Sequence, residues 1–177
     1  MNKTKKIRII ALTTDPYDNI YGYALVFIRL FDYIKKNNDK VEVILFSNGG
    51  LSSKLVNNKS FRILNINHKH NILLKTLMLT FRFTASILPY PSDTIIITNN
   101  EIPELLAGVI LKLKFKKVYS IFQDDRIRNA SFFTKLICKT RIFLLYRIKN
   151  IFFVNHYTMN NFNDSIKKMY IGNPIFF

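Results

Sequence analysis

The stretch Lys6-Ile7-Arg8-Ile9-Ile10-Ala11-Leu12-Thr13-Thr14-Asp15-Pro16-Tyr17-Asp18-Asn19-Ile20-Tyr21-Gly22 decides the fold. Its first half is a short apolar run carrying one charge, and its second half is a polar loop. Residues 23–36 follow as a helix pattern that is apolar except at Arg29, Asp32, Lys35 and Lys36. A buried strand that ends in a polar loop and feeds a helix is the opening unit of an open α/β sheet, whose ligands bind outside the carboxyl ends of the strands. Thr13, Thr14, Asp15, Asp18, Asn19 and Gly22 are therefore expected on the rim of a cleft.

The same grammar repeats to the end of the chain. Residues 41–46 read as a second strand, and their unbroken apolar run suits a parallel sheet covered on both faces. After a turn-rich segment around Gly49-Gly50, residues 61–66 read as a third strand. Residues 71–88 read as a helix with Leu73, Leu74, Leu77, Met78 and Phe81 on its apolar side, stopped by Pro89-Tyr90-Pro91. A fourth strand is expected at 93–98, then a rim loop at Asn99-Asn100-Glu101. Pro103 opens the next helix, with Leu105, Leu106, Val109, Ile110 and Leu113 at helical spacing. Gly108 would let that helix approach the sheet closely. A fifth strand spans 118–122, and Ser131 caps a helix running to about Arg147. A sixth strand at 151–154, a short helix at 157–162 capped by Asn155, and a last strand at 169–171 complete the pattern. Strict alternation predicts a doubly wound, mostly parallel, Rossmann-like sheet with right-handed crossovers.

A chain of 177 residues suits one domain, and an apolar share of 49% excludes a disordered one. Twenty-seven basic residues against eleven acidic ones give a net charge of +16, which points to a polyanionic partner. Cys138 is the single cysteine, so no internal disulfide exists and a reducing cytosol is the expected compartment. The first apolar run is too short for a signal peptide, and Lys75 and Arg82 interrupt the longest candidate membrane segment at 72–88.

With the elements in order, the chain resembles the N-terminal, acceptor-side domain of GT-B glycosyltransferases, the retaining group-1 or family-4 type. Four stretches carry the resemblance. Residues 6–22 with their helix and 41–46 resemble the family opening, and 118–124 resembles the strand that ends in a His-Asp pair. Residues 149–155 with the short helix resemble the strand ending in a capped turn, and Ile171-Gly172-Asn173-Pro174 resembles the segment before the interdomain hinge. Here the family's His is Gln123, its Asn-Gly is Asn173-Pro174, and the first loop keeps one glycine, Gly22. The resemblance implies a single GT-B-type domain over 1–177 that works on a sugar acceptor. The nucleotide-sugar domain is not within this sequence, so the donor site is expected from a partner subunit or a missing C-terminal domain. No cofactor is expected in this chain itself.

Each candidate has a functional reading and a bland one. Gln123 and Asp124 are the catalytic candidates, Asp124 as an orienting or basic carboxylate. Gln cannot take part in proton transfer, so electrostatic positioning of the acceptor is what the pair supplies. Arg126 and Arg128 join them as acceptor contacts; the alternative is a solvated turn with local ion pairs. Asp15, Asp18 and Gly22 are acceptor or phosphate contacts without a GxGxxG pattern. Asn99, Asn100 and Glu101 line the rim, or cap the following helix. His68 and His70 lack a full ligand set, so no metal site is expected. Lys69, Lys75, Arg82, Lys114 and Lys116 stand beside apolar residues and suit an anionic membrane surface, the alternative being a solvated helix face. The expected location is cytoplasmic, peripheral at the inner membrane face. Nucleic acid ranks behind the membrane because no zinc knuckle, RNP-like motif or helix-turn-helix pattern is present. The rival to the glycosyltransferase reading is a non-catalytic basic module for membrane or nucleic acid.

Overall fold

The computed structural model describes residues 6–14, 33, 34, 37, 40–47, 61–63, 71–122 and 131–171. In chain order these form β1 (Ile7–Thr13), β2 (Val41–Ser47), β3 (Phe61–Ile63), α1 (Ile72–Ile87), β4 (Ile95–Thr98), α2 (Ile102–Leu111), β5 (Val118–Phe122), α3 (Phe132–Ile148), β6 (Asn150–Phe153), α4 (His156–Asn160) and β7 (Lys167–Tyr170). The seven strands form one sheet in the order β3-β2-β1-β4-β5-β6-β7, every neighbouring pair parallel. This is the expected Rossmann-like α/β sheet. Of the first predicted helix, Tyr33 and Ile34 are helical and the rest lies outside the described residues; Asn37, one residue past its expected end, is helical too.

Alternation along the strands divides the core into two layers. Ile10 and Leu12 face one side with Phe46, Ile96 and Phe122, while Ile9, Ala11, Val43, Leu45 and Ile121 face the other. The first layer is closed by α1, α2, α3 and Phe162, which follows α4. Ile34 packs on the second. Strands buried on both faces explain the continuous apolar runs. Arg8 and Glu42, register partners on β1 and β2, form a 2.7 Å ion pair.

The caps read from sequence at Ser131 and Asn155 are present, and Asn71 supplies a third. Asn71 accepts from the Leu73 N–H at 2.8 Å, Ser131 from Thr134 at 3.3 Å and Asn155 from Tyr157 at 2.8 Å. Pro103 sits in the first turn of α2. A Cβ on Gly108 would lie 2.9 Å from Thr98 Cγ2 and 3.2 Å from Ile148 Cδ1, so the missing side chain lets α2 lie close on the sheet. Strand and helix ends shift by a residue or two from expectation, as ends do.

The buried faces of two helices are corrected. On α1 the expected stripe Leu73, Leu74, Leu77 and Phe81 is exposed, Met78 is half-buried, and the core takes Leu79, Phe83 and Ile87 with Thr80 and Thr84. A helix this apolar has no single stripe for periodicity to choose. The two threonines enter the core because each hydroxyl donates back to the carbonyl four residues earlier, Thr76 or Thr80, at 2.9 and 2.8 Å. On α2, Leu105, Ala107, Gly108 and Leu111 are buried, whereas Ile110 and Leu113 are exposed.

Candidate functional site

The chain runs outward in one direction through β1, β2 and β3, then returns to the far side of β1 with β4. The order therefore reverses between β1 and β4, and a crevice opens at such a point outside the carboxyl ends of the strands. Thr13 and Thr14 end β1 there. Asn99, Asn100 and Glu101 end β4 and begin α2.

Asn99 is buried and continues the ladder, its N–H donating to the Leu12 carbonyl at 3.1 Å. Its own carbonyl accepts from the Ser120 hydroxyl of β5 at 3.4 Å. Glu101 is the N-cap of α2 and forms a capping box with Glu104. Glu104 is fully buried, and its carboxylate accepts from the Glu101 N–H and from the backbone N–H of Thr14, ninety residues earlier. One side chain thus ties the end of β1 to the start of α2 across the crevice. Arg141 on α3 donates to the Glu101 carboxylate and brings a third element to the same point.

Among the described residues, two buried atoms here find no hydrogen-bond partner: Asn100 Oδ1, an acceptor on a residue 5% exposed, and Arg141 Nε, a donor. Native proteins rarely leave such groups unmatched, because each forfeits the hydrogen bonds it would make in water. A ligand hydroxyl both donates and accepts, so it is the simplest group able to satisfy either atom.

Of the residues singled out in sequence, the crevice gathers Asn99, Asn100 and Glu101, and both functional and capping readings of Glu101 have a structural basis. Gln123, Asp124, Arg126, Arg128, Asp15, Asp18, Gly22, Lys69, His68, His70 and Asn173 lie outside the described residues. Lys75 and Arg82 sit on α1. Lys114 and Lys116 sit at the other end of the sheet, between α2 and β5, and the Lys114 ammonium donates to the Leu88 carbonyl just past the end of α1. Cys138 is half-buried on α3. No group of three metal-ligating side chains occurs among the described residues. Glu104 and Arg141 were missed. The spacing Glu101-x-x-Glu104 before an apolar run is a legible capping signal, whereas nothing local marks Arg141 as the partner of a residue forty positions earlier.

At the far edge of the same helices, Lys112 donates to the carbonyls of Arg147 and Ile148 at 2.8 and 3.0 Å. Burial, and then the nearby charge of Lys149, hold its ammonium below the ordinary lysine value.

Among solved structures, the chain is similar to a protein assigned as a UDP-N-acetylglucosamine 2-epimerase from Listeria monocytogenes, with a TM-score of 0.65 and 13% identity over 88% of this chain. The likeness is one of fold. It supports a GT-B-like Rossmann domain, and this chain spans 41% of the neighbour's length. The sequence matches no protein-family model and no curated protein. No helix among the described residues is long and apolar enough to cross a membrane.

Proposed function

We infer that the chain is the acceptor-binding half of a glycosyltransferase, which positions a lipid-linked or polysaccharide-precursor sugar for transfer from a nucleotide-sugar donor. The observation that carries this reading is the buried Asn100 Oδ1 at the switch point, which has no hydrogen-bond partner among the described residues and is next in sequence to Glu101, the partner of Arg141. A sugar offers several hydroxyls in fixed directions, which is the chemistry a buried amide and a held guanidinium recognise. The fold neighbour's name attaches it to a nucleotide sugar, and a protein of that length has room for a second domain. Asp124, at the end of the segment following β5, is assigned the orienting carboxylate. Arg126 and Arg128 are assigned the acceptor's charged groups, Asp15, Asp18 and Gly22 are assigned as further acceptor contacts, and Asn173 is assigned to the hinge toward the donor-binding part. That donor-binding part comes from a partner subunit or from sequence beyond this chain.

The test is a titration of the 15N-labelled chain with short-chain polyprenyl-phosphate-linked sugars, and with a UDP-sugar as the contrasting ligand. Saturable shifts of the Asn99, Asn100 and Glu101 amides with the lipid-linked sugar alone are expected. Shifts confined to other parts of the chain would reject the site, and leave the basic binding module as the better reading.

A further inference from the structure

Two contacts mark the level at which α2 begins. Thr80 of α1 donates to the Pro103 carbonyl at 3.3 Å, and Arg141 of α3 reaches Glu101. α2 packs against both of these helices, and all three lie on the same face of the parallel sheet. Residues 72–79 of α1 and 132–140 of α3 therefore run on past the start of α2, beyond the carboxyl edge of the sheet. At 1.5 Å per residue each projection is about 12 Å long. Burial agrees: α3 contributes Leu144, Leu145 and Ile148 to the buried core with Ile142 half-buried beside them, and the buried residues of α1 begin at Leu79.

The projecting turns carry large apolar side chains in solvent. Leu73 is 67% exposed and Leu77, on the next turn of the same helix, 54%, while Phe132 and Phe133 are 82% and 72% exposed. Ile72 and Leu136 extend the two stripes. The same helices hold Lys75, Arg82, Lys135, Lys139, Arg141 and Arg147 and not one acidic residue. Exposed Phe and Leu beside Lys and Arg, with no acidic residue on either helix, is the pattern of helices that bind the interface of an anionic bilayer. A soluble protein partner would need an apolar pocket for each projection together with a uniformly acidic wall. A membrane of acidic lipid supplies both at once.

We propose that the N-terminal turns of α1 and α3 are two prongs that insert into the surface of an anionic membrane, holding the carboxyl edge of the sheet against the headgroups. Interfacial helices bury their apolar face about 5–10 Å deep, which would leave Asn100, set back behind the tips, level with the headgroup layer. This rests on exposure and charge and is independent of the sugar reading.

The test floats the full chain with vesicles of phosphatidylcholine, with and without about a third phosphatidylglycerol, at about 0.1 and 0.5 M salt. Flotation is expected with the acidic vesicles, weakened by salt. Phe132→Ser with Phe133→Ser, or Leu73→Ser with Leu77→Ser, should each lower it about tenfold. Leu113→Ser, 91% exposed at the opposite edge, should not change it. The chain contains no tryptophan, so Phe133→Trp gives a single reporter even if a serine variant fails to fold. Its emission should shift to the blue and be quenched by brominated lipid, and that of Leu113→Trp should not. No flotation, flotation indifferent to all four serines, or a Phe133→Trp emission unmoved by vesicles would each overturn the proposal. So would serine variants that lose a bound protein while vesicles bind neither them nor the parent chain.

Discussion

Asn100 and Glu104 stand one helical turn apart and make opposite demands on the fold. Asn100 keeps a buried carbonyl oxygen without a donor, an arrangement that costs folding free energy. Asn100→Ala is therefore expected to leave stability unchanged or raise it, by up to about 1 kcal/mol in urea unfolding, while weakening sugar binding at least about tenfold. A clear loss of stability would show the side chain to be a structural element. Glu104 accepts from the Thr14 and Glu101 amides, so Glu104→Ala strands two donors and should destabilise the chain by about 1–3 kcal/mol. Glu104→Gln keeps an acceptor oxygen and should recover most of that. Hydrogen exchange at Thr14 reports the same contact directly: its amide should exchange faster in Glu104→Ala than in Glu104→Gln.

At the level of elements, α1 separates core from tip within two residues. Phe83 is fully buried and Phe81 is not. Phe83→Ala should cost about 3–5 kcal/mol, and Phe81→Ser should stay within about 0.5 kcal/mol, both read from denaturant midpoints. The join between α2 and α3 supplies a pH signature. With its folded-state pKa lowered by burial and by Lys149, Lys112 releases its proton from the folded chain before the unfolded chain does. In the window just below the ordinary lysine value the unfolded state then holds more protons, and stability rises with pH. Lys149→Met removes the second cause, so the Lys112 pKa should move up in an NMR titration and the rise should flatten. Much of this architecture was legible beforehand. The strands announced themselves as apolar runs too continuous for a one-sided sheet, and Ser131, Asn155 and Pro103 marked helix starts by their local chemistry. What escaped was the orientation of α1. With Ile, Leu, Met and Phe around most of its circumference, only the neighbouring α2 decides which stripe is buried. The pair Glu101–Arg141 escaped for a related reason, since tertiary packing alone brings α3 over the start of α2.

For the whole molecule, seven parallel strands place every strand-to-helix junction at one edge, and the reversal between β1 and β4 concentrates buried polar groups there. That edge is where Asn99, Asn100 and Glu101 were expected on sequence grounds to line a cleft. The residues assigned to orient the acceptor, Asp124 with Gln123, come directly after β5 in sequence. On the proposed reading this half positions the acceptor, and a nucleotide-sugar-binding partner subunit, or sequence beyond this chain, supplies the donor. The most direct measurement is purification of the tagged full chain from its native cells under mild conditions, followed by a transfer assay with nucleotide sugars and lipid-linked acceptors. The account predicts a stoichiometric partner that binds the donor, transfer by the pair, and its loss in Asp124→Ala. A preparation in which the chain carries only lipid or nucleic acid, and no transfer can be detected, would contradict it.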